Sequence, residues 1–312
     1  MRSLSLRQLA ICLLCGHLLP SHSLSRLRTS ARRRSFGLKR QPSLQSAAEN
    51  IEESVAGVVP EHIAFILDGN GRWASMQGLP RSTGHTEGIR NALRTLDHCQ
   101  ELGVKVVTLY AMSTQNLLRP SQEVEYLFRA FETTLRAHIE TLTERKIRLV
   151  VIGDRSRLPE TLLQLIVDAE RASRETMDGE PSMTLCVAMC YGSKNELAGV
   201  ARTLAAQVRE GTLPAEAITE AHISDALETR RAGVPDPDLV IRTGGERRLS
   251  GFLLWQAEYA ELCFLDVLWP DFQKKDLLCA IRLFAATERR YGRTPTQVRQ
   301  QREHEHAQEI GT

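Results

Sequence analysis

The feature that most constrains this chain is an alternation of short, β-branched apolar runs with longer stretches of helical spacing. Residues 63–67 are apolar and too few for a helix, so they read as a buried strand. Ile89, Ala92, Leu93, Leu96 and Leu102 then keep helical spacing up to Gly103, a residue suited to the position after a helix end. Residues 104–110 read as a second strand. Ser121 is the predicted cap of a long helix, with Glu123 and Glu125 in its first turn. Its apolar face runs through Val124, Leu127, Phe128, Phe131, Leu135, Ile139 and Leu142. Further strands are predicted at 147–152, 184–189, 239–241 and 262–265, with helices at 162–172 and about 274–290. This order implies an α/β fold, a single domain built on a mostly parallel central sheet with helices on both faces.

The two ends do not follow that pattern. Residues 1–48 hold nine Lys or Arg and no acid, whereas the whole chain is +2, leaving residues 49–312 at −7. The basic character therefore belongs to the leader, and the folded part offers no nucleic-acid surface. An apolar run at 9–19, flanked by Arg2 and Arg7, has the length of a signal-peptide core and is too short to span a bilayer. Ser and Arg follow repeatedly, as in transit peptides. The reading is a cleavable leader addressed to an organelle, a plastid before the mitochondrion or endoplasmic reticulum; a merely disordered terminus is the plainer alternative. One domain is expected over residues 49–293, with a polar tail at 294–312. Cys99, Cys186, Cys190, Cys263 and Cys279 sit in apolar runs without a CxxC pair, which suits neither zinc nor a disulfide framework.

The polar motifs fall where the strands end. Asp68-Gly-Asn-Gly, Ser113-Thr-Gln-Asn116, Gly153-Asp154, Tyr191-Gly192 and Arg242-Thr-Gly-Gly245 each follow a predicted strand. In open α/β sheets the carboxyl edge is the ligand edge. Gly69, Asn70 and Gly71 bare the backbone, and Arg72, Arg81 and His85 follow closely. A carboxylate, a glycine turn and cations suit a phosphorylated ligand with a divalent metal; a tight turn with a solvated Arg is the plain competitor. The turn also fits a degenerate dinucleotide fingerprint, but the second strand ends Tyr110-Ala-Met-Ser, without the acid that binds ribose. Arg242, Arg247, Arg248 and Ser250 surround two glycines, and planar guanidinium forks bind diphosphate oxygens in pairs. A charged surface loop is the alternative there. Glu261, eleven residues past Ser250, is a candidate second carboxylate for the metal.

With these residues in hand, the chain resembles the cis-prenyltransferases, the undecaprenyl and dehydrodolichyl diphosphate synthase family. The resemblance runs over about residues 62–290 and rests on HIAFILDGNGRWA, Gly84-His85, LYAMSTQNLLRP, DLVIRTGGERRLSGFLLWQAEYAEL and DVLWPDF. It implies that Asp68 engages Mg²⁺ and the diphosphates, with Glu261 assisting the metal. Gly69, Asn70, Gly71, Arg72, Arg81 and His85 would cradle an allylic prenyl diphosphate, with Trp73 packed near it. Arg242, Arg248 and Ser250 would hold isopentenyl diphosphate, and Ser113, Asn116 and Arg119 match a loop that closes over the substrates. Asp68, Asn70 and Ser113 are the expected catalytic group. Gln115, Leu117, Cys190 and Gly251 depart from the family pattern, which usually has Glu, Trp, Asn and Asn there.

The implied reaction extends a prenyl chain by one cis unit, and the product needs an apolar tunnel. Leu127, Phe128, Phe131 and Leu135 are its expected wall, with Met183 near its floor; ordinary core is the other reading of that stripe. The resemblance further implies a homodimer formed around residues 252–255 and 262–269, and allows peripheral membrane association through the lipid product. A catalytically silent subunit of a heteromeric enzyme remains a separate hypothesis, although both diphosphate motifs are intact. A Rossmann oxidoreductase is the third.

Overall fold

The structure is a computed structural model that describes residues 58–175 and 179–287. The predicted leader, the polar tail and the last residues of the predicted final helix lie outside the described residues. Six strands, β1 (His62–Ile66), β2 (Val106–Tyr110), β3 (Ile147–Ile152), β4 (Met183–Ala188), β5 (Leu239–Arg242) and β6 (Glu261–Phe264), form one sheet in the order β3-β4-β2-β1-β5-β6. All five pairings are parallel, so the expected mostly parallel sheet is entirely parallel among the described residues.

Among the described residues, eight α-helices connect and cover the strands: α1 (Asn70–Met76), α2 (Arg81–Glu101), α3 (Ser121–Glu144), α4 (Glu160–Glu175), α5 (Ser193–Arg209), α6 (Glu220–Ala226), α7 (Glu228–Arg231) and α8 (Lys274–Ala285). Strand side chains alternate between two faces. Ile63 and Phe65 join Leu96 of α2, Phe128 of α3, Ile166 of α4 and Ile281 of α8 in the larger core. Ala64 and Ile66 face the other way, against Tyr191, Phe252, Leu253 and Ala257. Both faces are thus covered, which explains why β1 and β2 are buried at every position and read as unbroken apolar runs.

Helix α5 buries Val200 and Leu204 at helical spacing, while α6 and α7, seven and four residues long, are too short to show an apolar period. They pack mainly through Val200, Leu204 and Leu227, a small satellite cluster with Trp255 at its border. The α3 helix starts at Ser121 with Pro120 at the cap position and no side-chain cap bond, so Ser121 is the first helical residue and not the cap. Pro120 fixes the extended entry that the cap position needs.

Two buried polar groups tie the layers together. His62 is fully inside; its Nδ1–H donates to the Pro235 carbonyl at 2.8 Å, and its Nε2 accepts from the Thr108 hydroxyl at 2.7 Å. Burial drops its pKa to about 4, so the ring is neutral and this donor pattern follows. Glu196 of α5 accepts from the Tyr191 hydroxyl at 2.6 Å, Gln256 Nε2 at 3.2 Å and the Glu228 backbone at 3.0 Å.

Helices α1 and α2 approach more closely than side chains would allow. A Cβ at Gly84 would stand 2.0 Å from the Asn70 carbonyl oxygen, and one at Gly88 would stand 2.3 Å from Asn70 Oδ1. The glycines of α2 therefore set the position of α1, and with it the residues just past β1.

Candidate active site

Parallel pairing brings every strand's carboxyl end to one edge. At the middle of the sheet, β2, β1 and β5 are neighbours, and Ile66 lies level with Tyr110 and Arg242. The chain leaves β1 at Leu67 and turns at Asp68. The backbone there is pinned: the Asp68 carbonyl accepts from Trp269 N at 3.0 Å and from the Thr243 hydroxyl at 2.8 Å. Its carboxylate is held from two sides. Arg72 Nη2 lies 3.0 Å from Oδ1, and Arg242 Nη2 donates to Oδ2 at 2.9 Å.

Arg242 is the last residue of β5, and its side chain is only 5% exposed. Its Nη1 donates to Ser250 Oγ at 2.7 Å and to the Arg248 carbonyl, while its Nε has no partner. A buried guanidinium needs a counter-charge, and Asp68 supplies it. Arg72 reaches further and donates through Nη1 to the Gly244 carbonyl at 2.6 Å. Arg248 differs: its side chain is 62% exposed and paired with Glu246 at 2.5 Å, so only its backbone belongs to this cluster.

A second cationic cluster stands across the opening. Arg81, the first residue of α2, lies over Gly71, where a Cβ would come within 2.8 Å of its Cζ. Its Nη2 approaches Glu123 Oε1 at 3.4 Å. His85 Nε2 reaches the same oxygen at 3.4 Å, and Arg119 Nη1 reaches it at 3.0 Å. Burial holds the His85 ring below its usual pKa against the pull of Glu123, so at neutral pH the imidazole is uncharged. Burial opposes ionisation of Glu123, but Arg119, Arg81 and His85 outweigh it and hold the carboxyl below its usual range.

Between the clusters lies a cavity of about 350 Å³. Asp68, Asn70, His85, Ser113, Asn116, Arg119, Arg242 and Ser250 line its polar end. Its apolar wall comes from Ile89, Leu93 and Leu96 of α2, Leu127 and Phe131 of α3, and Leu109 and Val187 of the sheet. Of the expected tunnel wall, Leu127 and Phe131 line the space, whereas Phe128, Leu135 and Met183 belong to the core and do not. The helical stripe is wider than the cavity, so its other residues turn into the packed layer.

Several expected residues take other tasks. The Ser113 hydroxyl accepts from Asn116 N at 3.1 Å and Asn116 Oδ1 accepts from Ser113 N at 3.0 Å, a reciprocal cap on the short 3₁₀ turn Thr114–Leu118. Trp73 does not line the cavity; its indole donates to Asp271 Oδ1 at 2.9 Å. Gly69 packs against Leu268. The motifs after β3 and β4 interlock with each other, Asp154 N donating to the Cys190 carbonyl at 3.3 Å, and do not enter the cavity.

Glu261 requires a correction. It opens β6 opposite Leu239, three pairs before Phe264 meets Arg242. At about 3.3 Å per residue it lies roughly 10 Å back along the strand, and Asp68 lies beyond the other edge. Within one chain the two carboxylates do not converge, because a parallel strand's first residue faces away from another's last.

Two site residues are not among the candidates the sequence supplied, although Tyr110 falls within the stretch LYAMSTQNLLRP. Tyr110 stacks on Phe252 with centroids 4.5 Å apart, and its hydroxyl donates to the Tyr191 carbonyl at 3.2 Å. Burial pushes it up to about 12, so it stays a phenol. Glu123 reads in the sequence as a helix first-turn acid; its place four residues after Arg119 is the one available hint.

The chain is similar to known proteins over most of its described length. The family model described as "Putative undecaprenyl diphosphate synthase" matches residues 66–292. An isoprenyl transferase of Rhizobium meliloti is 45% identical over 237 residues, 75% of this chain and 92% of that protein. Dehydrodolichyl diphosphate synthase 2 of Arabidopsis thaliana is 38% identical over 263 residues, 82% of this chain and 84% of that one. The crystal structure of lavandulyl diphosphate synthase from Lavandula x intermedia, in complex with dimethylallyl diphosphate, superposes with a TM-score of 0.72 at 37% identity. It covers 75% of this chain and 99% of that one.

Proposed function

Because the chain belongs to the undecaprenyl diphosphate synthase family of cis-prenyltransferases, we propose that it condenses isopentenyl diphosphate with an allylic prenyl diphosphate to give a longer cis-polyprenyl diphosphate. One observation carries this reading: two cationic clusters, one gathered on Asp68 and one on Glu123, flank the polar mouth of an apolar cavity. Two diphosphate groups with hydrocarbon tails need that combination. The Arg81, His85 and Arg119 cluster suits the allylic diphosphate, and the Arg242 and Ser250 cluster suits isopentenyl diphosphate. The allylic carbon–oxygen bond breaks, the isopentenyl double bond forms the new carbon–carbon bond, and one proton leaves to the released diphosphate. The guanidiniums stabilise the charge that grows on the departing diphosphate.

Mg²⁺ fits the residues present. Among the described residues no group of three or more His, Cys, Asp or Glu is arranged for a metal. Mg²⁺ is commonly held by one or two carboxylates together with substrate phosphates. Asp68 would hold it, and Asn70 offers an oxygen, Oδ1, that is buried without a partner. When bound, the ion neutralises diphosphate charge. The test is incubation with radiolabelled isopentenyl diphosphate and allylic starters of several lengths, with products sized. Label in chains longer than the starter is expected; no incorporation with any starter sinks the proposal.

Assembly and address extend the reading. Leu254, Tyr259 and Leu262 are exposed near the outer edge strand β6, whose other side has no strand partner among the described residues. Unpaired edges invite cover, and a two-fold contact between copies of this chain would supply it, burying more than about 1,000 Å² if obligate. Light scattering paired with activity checks it, and a fully active monomer contradicts it. No helix among the described residues is long and apolar enough to cross a membrane. A fluorescent fusion of the full chain should enter a plastid with its leader removed; diffuse signal with an unprocessed N-terminus contradicts that address.

A further inference from the structure

Glu123 is not among the substrate-binding residues that the motifs supply, yet three cationic or proton-donating side chains meet on one of its oxygens. Arg81 and His85 come from α2, Arg119 from the end of the 3₁₀ turn, and all contact Oε1, at 3.4, 3.4 and 3.0 Å. We propose that Glu123 is a positioning residue that assembles the allylic-diphosphate pocket, tying the 113–119 segment to α2 through a shared carboxylate oxygen. The proposal rests on the function proposed above.

Three observations support positioning over mere surface pairing. First, the contacts leave the guanidiniums available. Arg81 meets Glu123 through Nη2, while the same guanidinium lies over Gly71. A guanidinium has five donors in a rigid fork, so a carboxylate behind it orients the remaining donors toward the glycine turn. Second, Glu123 is itself fixed. One turn further along α3, the Tyr126 hydroxyl donates to the Ser82 carbonyl at 3.0 Å and shares a 2.7 Å bond with Thr86. These bonds lock the start of α3 against the first turns of α2. Third, His85 is neutral, so its Nε2–H is a donor to Glu123, and the ring can present its other face to the cavity it lines. Without Glu123, Arg81 and Arg119 would repel each other, and the turn carrying Ser113 and Asn116 would lose its tether to α2.

The opposing possibility is that Glu123 occupies the diphosphate's place and must be displaced. The two readings differ in sign. With the full chain, Glu123→Gln should raise the KM for the allylic diphosphate about tenfold and leave the KM for isopentenyl diphosphate within about twofold. Calorimetry with inorganic pyrophosphate, which needs no turnover, should show a similar loss of affinity. Glu123→Asp keeps the charge on a shorter stem and should recover part of both losses, with the same melting temperature as Glu123→Gln. In a double-mutant cycle, Arg119→Ala should add little to Glu123→Gln, because both cut one link. Unchanged or tighter pyrophosphate binding in Glu123→Gln, or equal rises in both KM values, overturns the proposal. If the wild type incorporates no isopentenyl diphosphate, the functional reading has failed, and pyrophosphate calorimetry still decides the role of Glu123.

Discussion

At the scale of single residues, Asp68 and Arg242 define each other. Arg242 is buried, and its ionic partner is the carboxylate of Asp68. Asp68→Asn keeps the shape and one acceptor but removes the charge. Turnover should fall by about 10³-fold or more, and stability by about 1–3 kcal/mol as a charge-assisted bond weakens. Turnover numbers and urea midpoints read both, and near-normal turnover would remove Asp68 from the chemistry. The departures at Cys190 and Gly251 share a cause legible only in the backbone. Both are left-handed, with φ of 52° and 79°, a conformation that Asn and Gly tolerate and most residues do not. Gly251 keeps the local turn at ease, whereas Cys190 holds it under strain. Cys190→Asn should therefore raise stability by about 1 kcal/mol, seen as a rise of roughly 2–4 °C in melting temperature; a fall would show that the buried amide finds no partner.

At the scale of elements, α1 is placed by what α2 lacks. Gly84→Ala would drive a methyl into the Asn70 backbone carbonyl, and neither helix can yield without moving Asn70 and Arg72. The expected loss is about 1–3 kcal/mol of stability together with a drop in turnover, measured on the same preparation; unchanged values in both would show that α1 is free to shift. The sequence displayed all six strands because both-face burial leaves them continuously apolar. It displayed α2, α3 and α4 because each buries a stripe. The apolar spacing of α5, Leu197, Val200 and Leu204, was present but went unread, and α6 and α7 are too short to show a stripe; Glu196 of α5 holds Tyr191 and Gln256 instead. Strand-end motifs identified the ligand edge, since parallel pairing follows from alternation. Glu261 was misplaced for the same reason: its distance from Asp68 depends on which end of a strand it occupies. Glu123 escaped because a helix-start acid is an ordinary feature, and only the meeting of α2, α3 and the 3₁₀ turn gives it partners.

At the scale of the whole molecule, a buried neutral histidine makes stability depend on pH. Folded His62 binds a proton near pH 4, whereas the unfolded chain does so near 6.5. Between those values the unfolded state holds the extra proton, so stability is fully present above about pH 6.5 and declines as pH falls toward 4. The contribution is about 3 kcal/mol, from 1.36 kcal/mol per unit. Urea unfolding at pH 7.5 and 5.0 should show the decline, and His62→Gln should flatten it; an equal slope in both proteins would assign the effect elsewhere. The strand order has a further consequence, in time. The central strand β1 pairs with β2 only 44 residues away, but with β5 some 176 residues away, from His62↔Val106 and Ile63↔Leu239. Closing the longer loop carries the larger entropic penalty, and such distant contacts form slowly. During synthesis and refolding, the half containing β1 to β4 is complete while one flank of β1 still lacks its neighbour. Helical signal on dilution from denaturant should therefore return before pyrophosphate binding does, and an incomplete chain ending before β5 would expose an open, sticky strand in the middle of its future sheet.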